Sequence, residues 1–338
     1  MTQVYTADDI EAAAAALRAG ELVAFPTETV FGLGAIANNE TAVKSVYEVK
    51  GRPSDNPLIV HVAQMSDWKK WTAPLSEERA RLAEQLVNQF WPGPLTLILP
   101  VKPHTFGPTV TGGLDTVGLR MPDHPLTLKL IQATGFPIVG PSANRSGKPS
   151  PTTVAHVLHD FDGKIAGVLD SAPTRIGVES TVLDLTDPSG IYILRPGYYT
   201  AKKLMAKIPE LVIQTQKPMP SGEVLHPKAP GMKYRHYSPD LKVIAVSGRH
   251  FLDTFQQQDP KTTVAVATDS VLRQLSEAVT TYSLGDTMLS ATQRLFAALR
   301  QYDDDPSEQT LVVELLPDEE GNQAYRNRLM KAASAVIE

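Results

Sequence analysis

The chain contains no cysteine among its 338 residues. Disulfide bonds, thiolate nucleophiles and cysteine-ligated zinc or iron–sulfur sites are therefore excluded. The sequence also has no G-x-x-x-x-G-K-[ST] string, so a nucleotide would not be held by a P-loop. G-x-S-x-G and H-E-x-x-H strings are absent as well, which argues against the hydrolases that use them. No apolar run approaches the length of about 20 residues that spans a membrane.

Positive charge is not in excess either, because the formal net charge is -5. This balance argues against a protein that coats nucleic acid non-specifically, although a local basic cleft stays possible. The acidic residues Asp8, Asp9 and Glu11 interrupt the N-terminal segment, so we expect no secretory leader. Together with the missing cysteines, these features lead us to expect a cytoplasmic protein with no membrane contact.

The chain is longer than a single hydrophobic core usually supports, which predicts two domains. Residues 1–214 mix short apolar strands with helical stretches, and this spacing predicts a twisted α/β sheet of mixed strand direction. Residues 215–240 are rich in Pro and Gly and are predicted to form a linker. Residues 241–338 alternate strands and helices, which predicts a smaller Rossmann-like α/β domain. A G-x-G-x-x-G string does not follow its first strand, so the prediction includes no dinucleotide.

Two polar strings lie directly beside apolar strands. In the first, Lys50 and Arg52 flank Gly51, and a point charge beside a planar guanidinium suits a polyphosphate or a carboxylate. In the second, Ser142 and Asn144 add uncharged donors and acceptors that orient a ligand without neutralising it. Either string alone is equally well interpreted as a turn. Together they favour an anion site.

A third string, residues 26–34, follows the predicted strand 22–25. It supplies two hydroxyls and a carboxylate, followed by two glycines that allow close approach of a backbone. A Thr-rich turn that closes a βα unit is the simpler interpretation of this string by itself. Because all three strings lie next to strands, however, we predict that they could converge. His61 faces away from its neighbours Val60 and Val62, where a structural role is the commoner one and a substrate contact is the alternative.

Taken together, these strings resemble the threonylcarbamoyl-AMP synthases of the YrdC-like fold. The residues that carry the resemblance are 26–34, 50–58, 142–147, 180–182 and 195–197. Residues 229–239 and the domain after them are similar to the long two-domain form, so the resemblance extends over essentially the whole chain. One departure is Phe31, where the family commonly has Tyr.

The resemblance implies an enzyme that makes L-threonylcarbamoyladenylate from L-threonine, bicarbonate or carbon dioxide, and ATP, with release of pyrophosphate. A separate transferase complex then moves the threonylcarbamoyl group onto the adenosine next to the anticodon of tRNA. Mg²⁺ is expected to arrive with ATP. We expect the ion to be held by phosphates and water, since the sequence shows no set of carboxylates that would bind it.

The resemblance also implies roles for individual residues. The implied catalytic residues are Lys50, Arg52, Ser142 and Asn144. The implied ATP contacts are Lys50, Arg52, Asn56, Thr116, Ser142, Ser150, Arg195, Tyr234, His236 and Tyr237. The implied threonine contacts are Thr29, His61, Arg120 and Ser180. Because the linker concentrates aromatic and imidazole side chains, we hypothesise that it closes over the nucleotide as a lid.

Two alternatives remain. The first domain could bind structured RNA on a basic concave face, but this would require an uninterrupted cationic groove and aromatic stacking platforms. Only 7% of the residues are aromatic, and the motif cations are mixed with Ser, Thr and Asn. The chain could also be a carbamoyltransferase-type enzyme that uses carbamoyl phosphate. The lack of a cysteine-rich zinc region or an acylphosphatase-like segment argues against that function.

Overall fold

The computed structural model describes residues 1–54, 56–214, 228, 236–303, 305, 307 and 309–338. The strands in these ranges are β1 Gln3–Tyr5, β2 Val23–Phe25, β3 Gly32–Ile36, β4 Ile59–His61, β5 Leu95–Pro100, β6 Thr116–Arg120, β7 Ile138–Val139, β8 Gly167–Leu169, β9 Thr181–Asp184, β10 Ile191–Arg195, β11 Ile213–Gln214, β12 Lys242–Ser247, β13 Thr263–Ala267, β14 Thr281–Ser283, β15 Thr310–Leu315 and β16 Ala335–Ile337. The α-helices are α1 Ile10–Arg18, α2 Glu40–Lys50, α3 Asp67–Trp71, α4 Glu77–Phe90, α5 Pro108–Thr111, α6 Pro125–Thr134, α7 Val154–Phe161, α8 Ala201–Lys207, α9 Phe251–Gln256, α10 Asp269–Leu272, α11 Met288–Gln301 and α12 Gln323–Ala332.

The first eleven strands form one sheet in the order β1-β8-β2-β3-β7-β4-β6-β5-β9-β10-β11. Parallel and antiparallel pairs alternate irregularly across it, with β4 and β6 parallel and β5 and β6 antiparallel. Apolar side chains of its strands pack against α2 and α4 in the main core of the molecule. The predicted α/β domain with a mixed sheet is therefore confirmed.

The last five strands form a second sheet in the order β14-β13-β15-β12-β16, and every pair in it is parallel. Strands β13 and β15 are apolar and buried, as expected where helices cover both faces of a parallel sheet. This confirms the smaller Rossmann-like α/β domain. Counted within the domain, the strand order is 3-2-4-1-5, which differs from the 3-2-1 start of the dinucleotide-binding order.

The interpretation of residues 26–34 as one loop is wrong in its second half. Gly32 begins strand β3, which runs antiparallel to β2 with Phe25 opposite Gly32 and Val23 opposite Gly34. The string thus closes a β-hairpin rather than a βα unit. The strand was not predicted because glycines are disfavoured in sheets. Glycine is needed here because the Phe25 ring occupies the space where side chains of Gly32 and Gly34 would lie.

The two domains share an apolar interface. Val30, Ile176 and Val178 of the first domain belong to the same buried cluster as the core of the second domain. The first sheet ends at Gln214 and the second begins at Lys242. Most of the predicted linker 215–240, including Tyr234, lies outside the described residues, so the domain boundaries and the lid stay predictions. Within the described ranges, no helix is long and apolar enough to cross a bilayer.

Substitution Gly34→Ala is expected to destabilise the first domain by about 2–3 kcal/mol, because overpacking forces the backbone apart. A Cβ at Gly34 would lie 2.7 Å from the Val23 carbonyl oxygen on the paired strand. For comparison, Gly163→Ala meets open space at a φ of +74° and should cost about 1 kcal/mol. Thermal unfolding measures both variants. Equal losses would contradict this account of Gly34.

Candidate active site

The three polar strings converge, as predicted, on one pocket that is also lined by residues of the central strands β3, β4 and β6. Its empty volume is about 760 Å³ including the open mouth, within the usual range for a ligand site. The lining residues are Thr27, Thr29, Val30, Gly32, Lys50, Arg52, Ile59, His61, Arg120, Gly140, Pro141, Ser142, Asn144, Ser146, Gly147, Lys148, Glu179, Ser180, Arg195, His236 and Tyr237. Five of these side chains are Lys or Arg, whereas Glu179 is the single acid among the described lining residues.

Backbone hydrogen bonds join the three strings to one another. Leu33 N donates to Pro141 O at 2.7 Å, and Ala143 N donates to Phe31 O at 2.8 Å. Ser146 N donates to Lys50 O at 2.8 Å, which ties the end of helix α2 to the same loop. The pocket walls are thus fixed by main-chain contacts before any ligand is considered.

Lys50 is the last residue of α2, where Gly51 takes the left-handed conformation at φ +61° and turns the chain out of the helix. Its buried ammonium donates to the carbonyl oxygens of Ser142 and, at 2.6 Å, Asn144. Burial lowers the pKa of Lys50 well below its usual value of 10.5, and the nearby charge of Arg52 lowers it further. A phosphate beside this ammonium would favour the charged form.

Asn144 is held in place by its own loop. Its Nδ2 donates to the carbonyl oxygens of Arg145 and Lys148, each at 2.8 Å. Asp160 on α7 supports this loop because Arg145 N donates to its Oδ2 at 3.1 Å. Asn144 Oδ1 is buried without a hydrogen-bond partner among the described residues. The amide thus presents an acceptor in a fixed orientation.

A second group of side chains surrounds Arg120 at the end of β6. The parallel pairing of β4 and β6 sets His61 directly opposite Arg120. Arg120 Nη1 donates to Thr29 Oγ1 at 3.1 Å, and its Nη2 lies 2.7 Å from Glu28 Oε2. Burial lowers the pKa of His61 well below 6.5, and Arg120 lowers it further, so this ring is neutral at pH 7. A cation beside a neutral imidazole and a hydroxyl can bind an amino-acid carboxylate and its polar neighbours.

A third group lies at the end of β10. Arg195 Nη2 donates to Ser180 Oγ at 3.1 Å, and its Nε donates to Ser180 O at 3.2 Å. Burial lowers the pKa of Arg195 to about 10, while the charge of Glu179 partly opposes that shift. The guanidinium therefore stays charged at neutral pH. Ser180 Oγ also lies 2.8 Å from Thr96 Oγ1, so its orientation is fixed from two sides.

His236 and Tyr237, at the end of the predicted linker, both line the pocket. Tyr237 has a φ of +68°, a strained conformation for a residue with an aromatic side chain. Its ring packs on Phe296 of the second domain with centroids 5.2 Å apart. The structure therefore supplies the packing that holds this strained residue against the pocket.

Three other predicted ATP contacts, Asn56, Thr116 and Ser150, are not among the residues that line the pocket. Thr116 begins β6, about 13 Å along the strand from Arg120, and lines a different cavity. Asn56 is fully buried, and both polar atoms of its amide lack partners among the described residues. Ser150 is also buried, behind Glu179. Tyr234 falls outside the described residues. The roles of these four residues stay predictions.

Glu179 is the residue that the sequence interpretation missed. It precedes Ser180 directly, but a single carboxylate next to a Ser gives no local signal of a site. Its Oε1 accepts a hydrogen bond from Ser150 Oγ at 2.6 Å, and its Oε2 accepts one from Arg328 Nε at 2.9 Å. The second partner is 149 residues away in sequence, so only the tertiary structure shows it.

Comparisons with known proteins agree with this geometry. The Sua5–YciO–YrdC family model, described as telomere recombination, matches residues 15–197, and the model of the threonylcarbamoyl-AMP synthase C-terminal domain matches residues 200–334. The chain is 46% identical over 333 residues to the threonylcarbamoyl-AMP synthase of Bacillus subtilis, which is 97% of this chain and 94% of that protein.

Two further relatives show the long and the short form. The crystal structure of P. abyssi Sua5 complexed with L-threonine matches with a TM-score of 0.87 and 39% identity, covering 100% of both chains. The threonylcarbamoyl-AMP synthase of Photobacterium profundum is 32% identical over 192 residues, which are 56% of this chain and 100% of that protein. This short relative is too small to contain both domains.

A mixed sheet with a cation-lined pocket next to its central strands, followed by a parallel α/β domain, defines a two-domain protein of the YrdC-like class. Both family models and the full-length relative from Bacillus subtilis identify one family within this class. The chain belongs to the threonylcarbamoyl-AMP synthases, a family of transferases that act in tRNA modification. The resemblance inferred from the sequence is confirmed.

Lowering the pH from 7 to 5 is expected to destabilise the fold. Burial lowers the pKa of both His156 and His236 to about 4, with further lowering by Arg300 and Arg52 respectively. The unfolded chain binds protons at these rings below a pH of about 6.5, whereas the folded protein does not. The free energy of unfolding therefore falls between pH 6.5 and 4, by about 2 kcal/mol for each ring at pH 5.

Urea unfolding at pH 7 and pH 5 measures this difference. A His156→Gln variant removes one of the rings whose pKa is lowered, so its stability should depend less on pH than that of the wild type. An unchanged pH dependence in this variant would show that His156 is protonated equally in both states.

Proposed function

We propose that the pocket binds ATP and L-threonine together and performs the reaction of its family. In this reaction the threonine amine adds to carbon dioxide, derived from bicarbonate, to give a carbamate. A carbamate oxygen then attacks the α-phosphorus of ATP, the bond to the β-phosphate oxygen breaks, and pyrophosphate leaves. The product is L-threonylcarbamoyladenylate.

The observation that carries this proposal is the fixed set of cations on the pocket wall. Lys50, Arg52 and Arg195 line the pocket, and each is anchored to the main chain. Phosphoryl transfer requires little covalent chemistry from the protein, because positioning and stabilisation of charge on the phosphate oxygens are sufficient. Cations that are already oriented meet this requirement.

Arg120 and its neighbours support the choice of amino acid. The guanidinium suits the carboxylate of threonine, and Thr29, His61 and Ser180 supply groups that can read its hydroxyl and amine. The related P. abyssi Sua5 was crystallised with L-threonine. Closure of the pocket over its ligands would also keep water from the labile carbamate and adenylate.

Magnesium belongs to the substrate in this proposal. Among the described residues there is no group of three or more His, Asp or Glu side chains that could hold a metal ion. Glu179, the acid in the pocket, is already bonded to Arg328 and Ser150. We therefore expect Mg²⁺ to enter with ATP, held by phosphates and water, and to neutralise phosphate charge.

The adenylate has a defined use outside this chain. We propose that a separate threonylcarbamoyl transferase complex takes it up in the cytoplasm and passes the threonylcarbamoyl group to tRNA. Formation of the labile adenylate from ATP, labelled bicarbonate and L-threonine tests the proposal directly. Absence of the labelled adenylate, with folded protein and fresh substrates, would overturn it.

Substitution Arg52→Ala is expected to raise the barrier of the reaction by about 2–4 kcal/mol, the usual effect of losing one oriented donor. Pyrophosphate release under saturating substrates measures the change. The matched control is Lys44→Ala, because Lys44 is on helix α2 just before Arg52 and its side chain is 62% exposed. Near-normal turnover of Arg52→Ala would remove this residue from the mechanism.

The enzyme should discriminate strongly between threonine and valine, which have the same shape. Buried groups that bond a substrate hydroxyl reject an analogue without it by about 10⁴-fold or more. Serine keeps the hydroxyl and lacks a methyl group, so it should be a weak substrate. Amino-acid-dependent release of pyrophosphate compares the three. Equal activity with valine would show that the substrate is assigned wrongly.

A further inference from the structure

One arginine of the second domain reaches the back of the pocket. Arg328 lies on α12 and is fully buried. Its Nε donates to Glu179 Oε2 at 2.9 Å, and its Nη1 donates to Pro196 O at 2.7 Å. Both acceptors belong to the first domain. The guanidinium therefore reaches across the domain interface.

Arg328 contacts two residues that line the pocket. In addition to its bond with Glu179, its guanidinium carbon lies 5.8 Å from the ring centre of Tyr237. Glu179 in turn accepts a hydrogen bond from the hydroxyl of Ser150. A single cation of the second domain is thus connected to the carboxylate, the strained aromatic residue and a hydroxyl at this wall.

The charge of Glu179 gives this contact a consequence for ligand binding. Burial by itself would raise the pKa of Glu179, but the charges of Arg328 and Arg195, with hydrogen bonds from Ser150 and Arg328, hold it at about 2. The carboxylate is therefore ionised at neutral pH. An uncompensated carboxylate at the wall of a site for ATP would repel the phosphates.

We propose that Arg328 is a positioning residue for the reaction: it neutralises Glu179 and holds it away from Arg195. This inference rests on the proposed function of the pocket. With Arg328 in place, Arg195 stays bonded to Ser180 and its charge remains available to phosphate. After Arg328, Arg195 is the cation whose charge acts most strongly on Glu179, so without Arg328 it is left to compensate that carboxylate. The second domain then has a role in substrate binding that the short relatives, with no such domain, do without.

The alternative is that Arg328 only fastens the two domains together. Other contacts already do this. Arg300 on α11 donates to Asp160 Oδ2 at 2.7 Å. At Gly177, a Cβ would lie 2.4 Å from the Cα of Gln293, so the backbones of the two domains are in close contact there. Because these contacts remain when Arg328 is replaced, we expect Arg328 variants to fold with both domains docked.

A charge-removal cycle on the full chain separates the two roles. The variants are Arg328→Met, Glu179→Gln and the double variant, with Arg326→Met as the matched control. Arg326 is on the same helix, and its ion pairs with Asp318 and Glu338 are within the second domain. Calorimetry measures the Kd of MgATP, kinetics measures KM and kcat separately for ATP and threonine, and thermal unfolding checks the fold.

Arg328→Met should weaken ATP binding about tenfold or more, the scale of one uncompensated charge in a partly buried site. The KM for threonine should change by much less. The double variant should recover most of the ATP affinity because it no longer carries the charge, and Glu179→Gln alone should bind ATP at least as well as the wild type. Arg326→Met should stay near the wild-type values.

Wild-type affinity in Arg328→Met would overturn the inference. A double variant as weak as Arg328→Met would also overturn it, since interface fastening predicts no recovery. Should Arg328→Met fail to fold, the ATP affinity of Glu179→Gln decides between the two roles. If Arg328 only fastens the domains, loss of its partner Glu179 should weaken ATP binding, whereas the charge role predicts no such loss. If the wild type bound ATP but formed no adenylate, the proposed function would fail, while the affinity cycle would still test the charge role.

Discussion

A buried ammonium group is the interaction on which the pocket depends. Lys50 connects the end of helix α2 to the loop of Ser142 and Asn144 through two main-chain carbonyl groups. Burial of a cation is unfavourable unless such acceptors compensate it, and its lowered pKa records this tension. A bound phosphate would relieve the tension by adding negative charge. The fold thus holds Lys50 in an environment that favours an anionic ligand.

Two arginines of the second domain also compensate buried charges next to the pocket. Arg300 bonds the Asp160 carboxylate that supports the loop of Asn144, and Arg328 bonds the Glu179 carboxylate on the opposite wall. Both arginines neutralise an acid of the first domain rather than facing the ligand directly. The docked domain therefore strengthens the positive character of the pocket, although none of its described cations lies on the pocket surface.

Local chemistry determines how much of this site the sequence can predict. Lys50, Arg52, Ser142 and Asn144 were recognisable because cations and small polar groups beside Gly and Pro form distinct strings next to strands. Glu179 was not recognisable, since its partner Arg328 is distant in sequence and each residue alone is an ordinary charged side chain. The fold shows the same limit. The strand at 22–25 was predicted because it is apolar, whereas β3 was missed because its glycines resemble a turn.

Backbone strain and buried charges occur together at the pocket, where the stability of the whole fold maintains them. Tyr237 is held at a positive φ, an ammonium is buried at Lys50, and Arg195 keeps its charge although burial opposes it. Each feature is unfavourable alone and persists because the surrounding packing determines it. Groups that are already desolvated and oriented do not have to reorganise when charge develops on a phosphate. The domain interface behind the pocket places Arg300 and Arg328 against two carboxylates of the first domain, so its contacts bear on the charge of the pocket as well as on the docking of the domains.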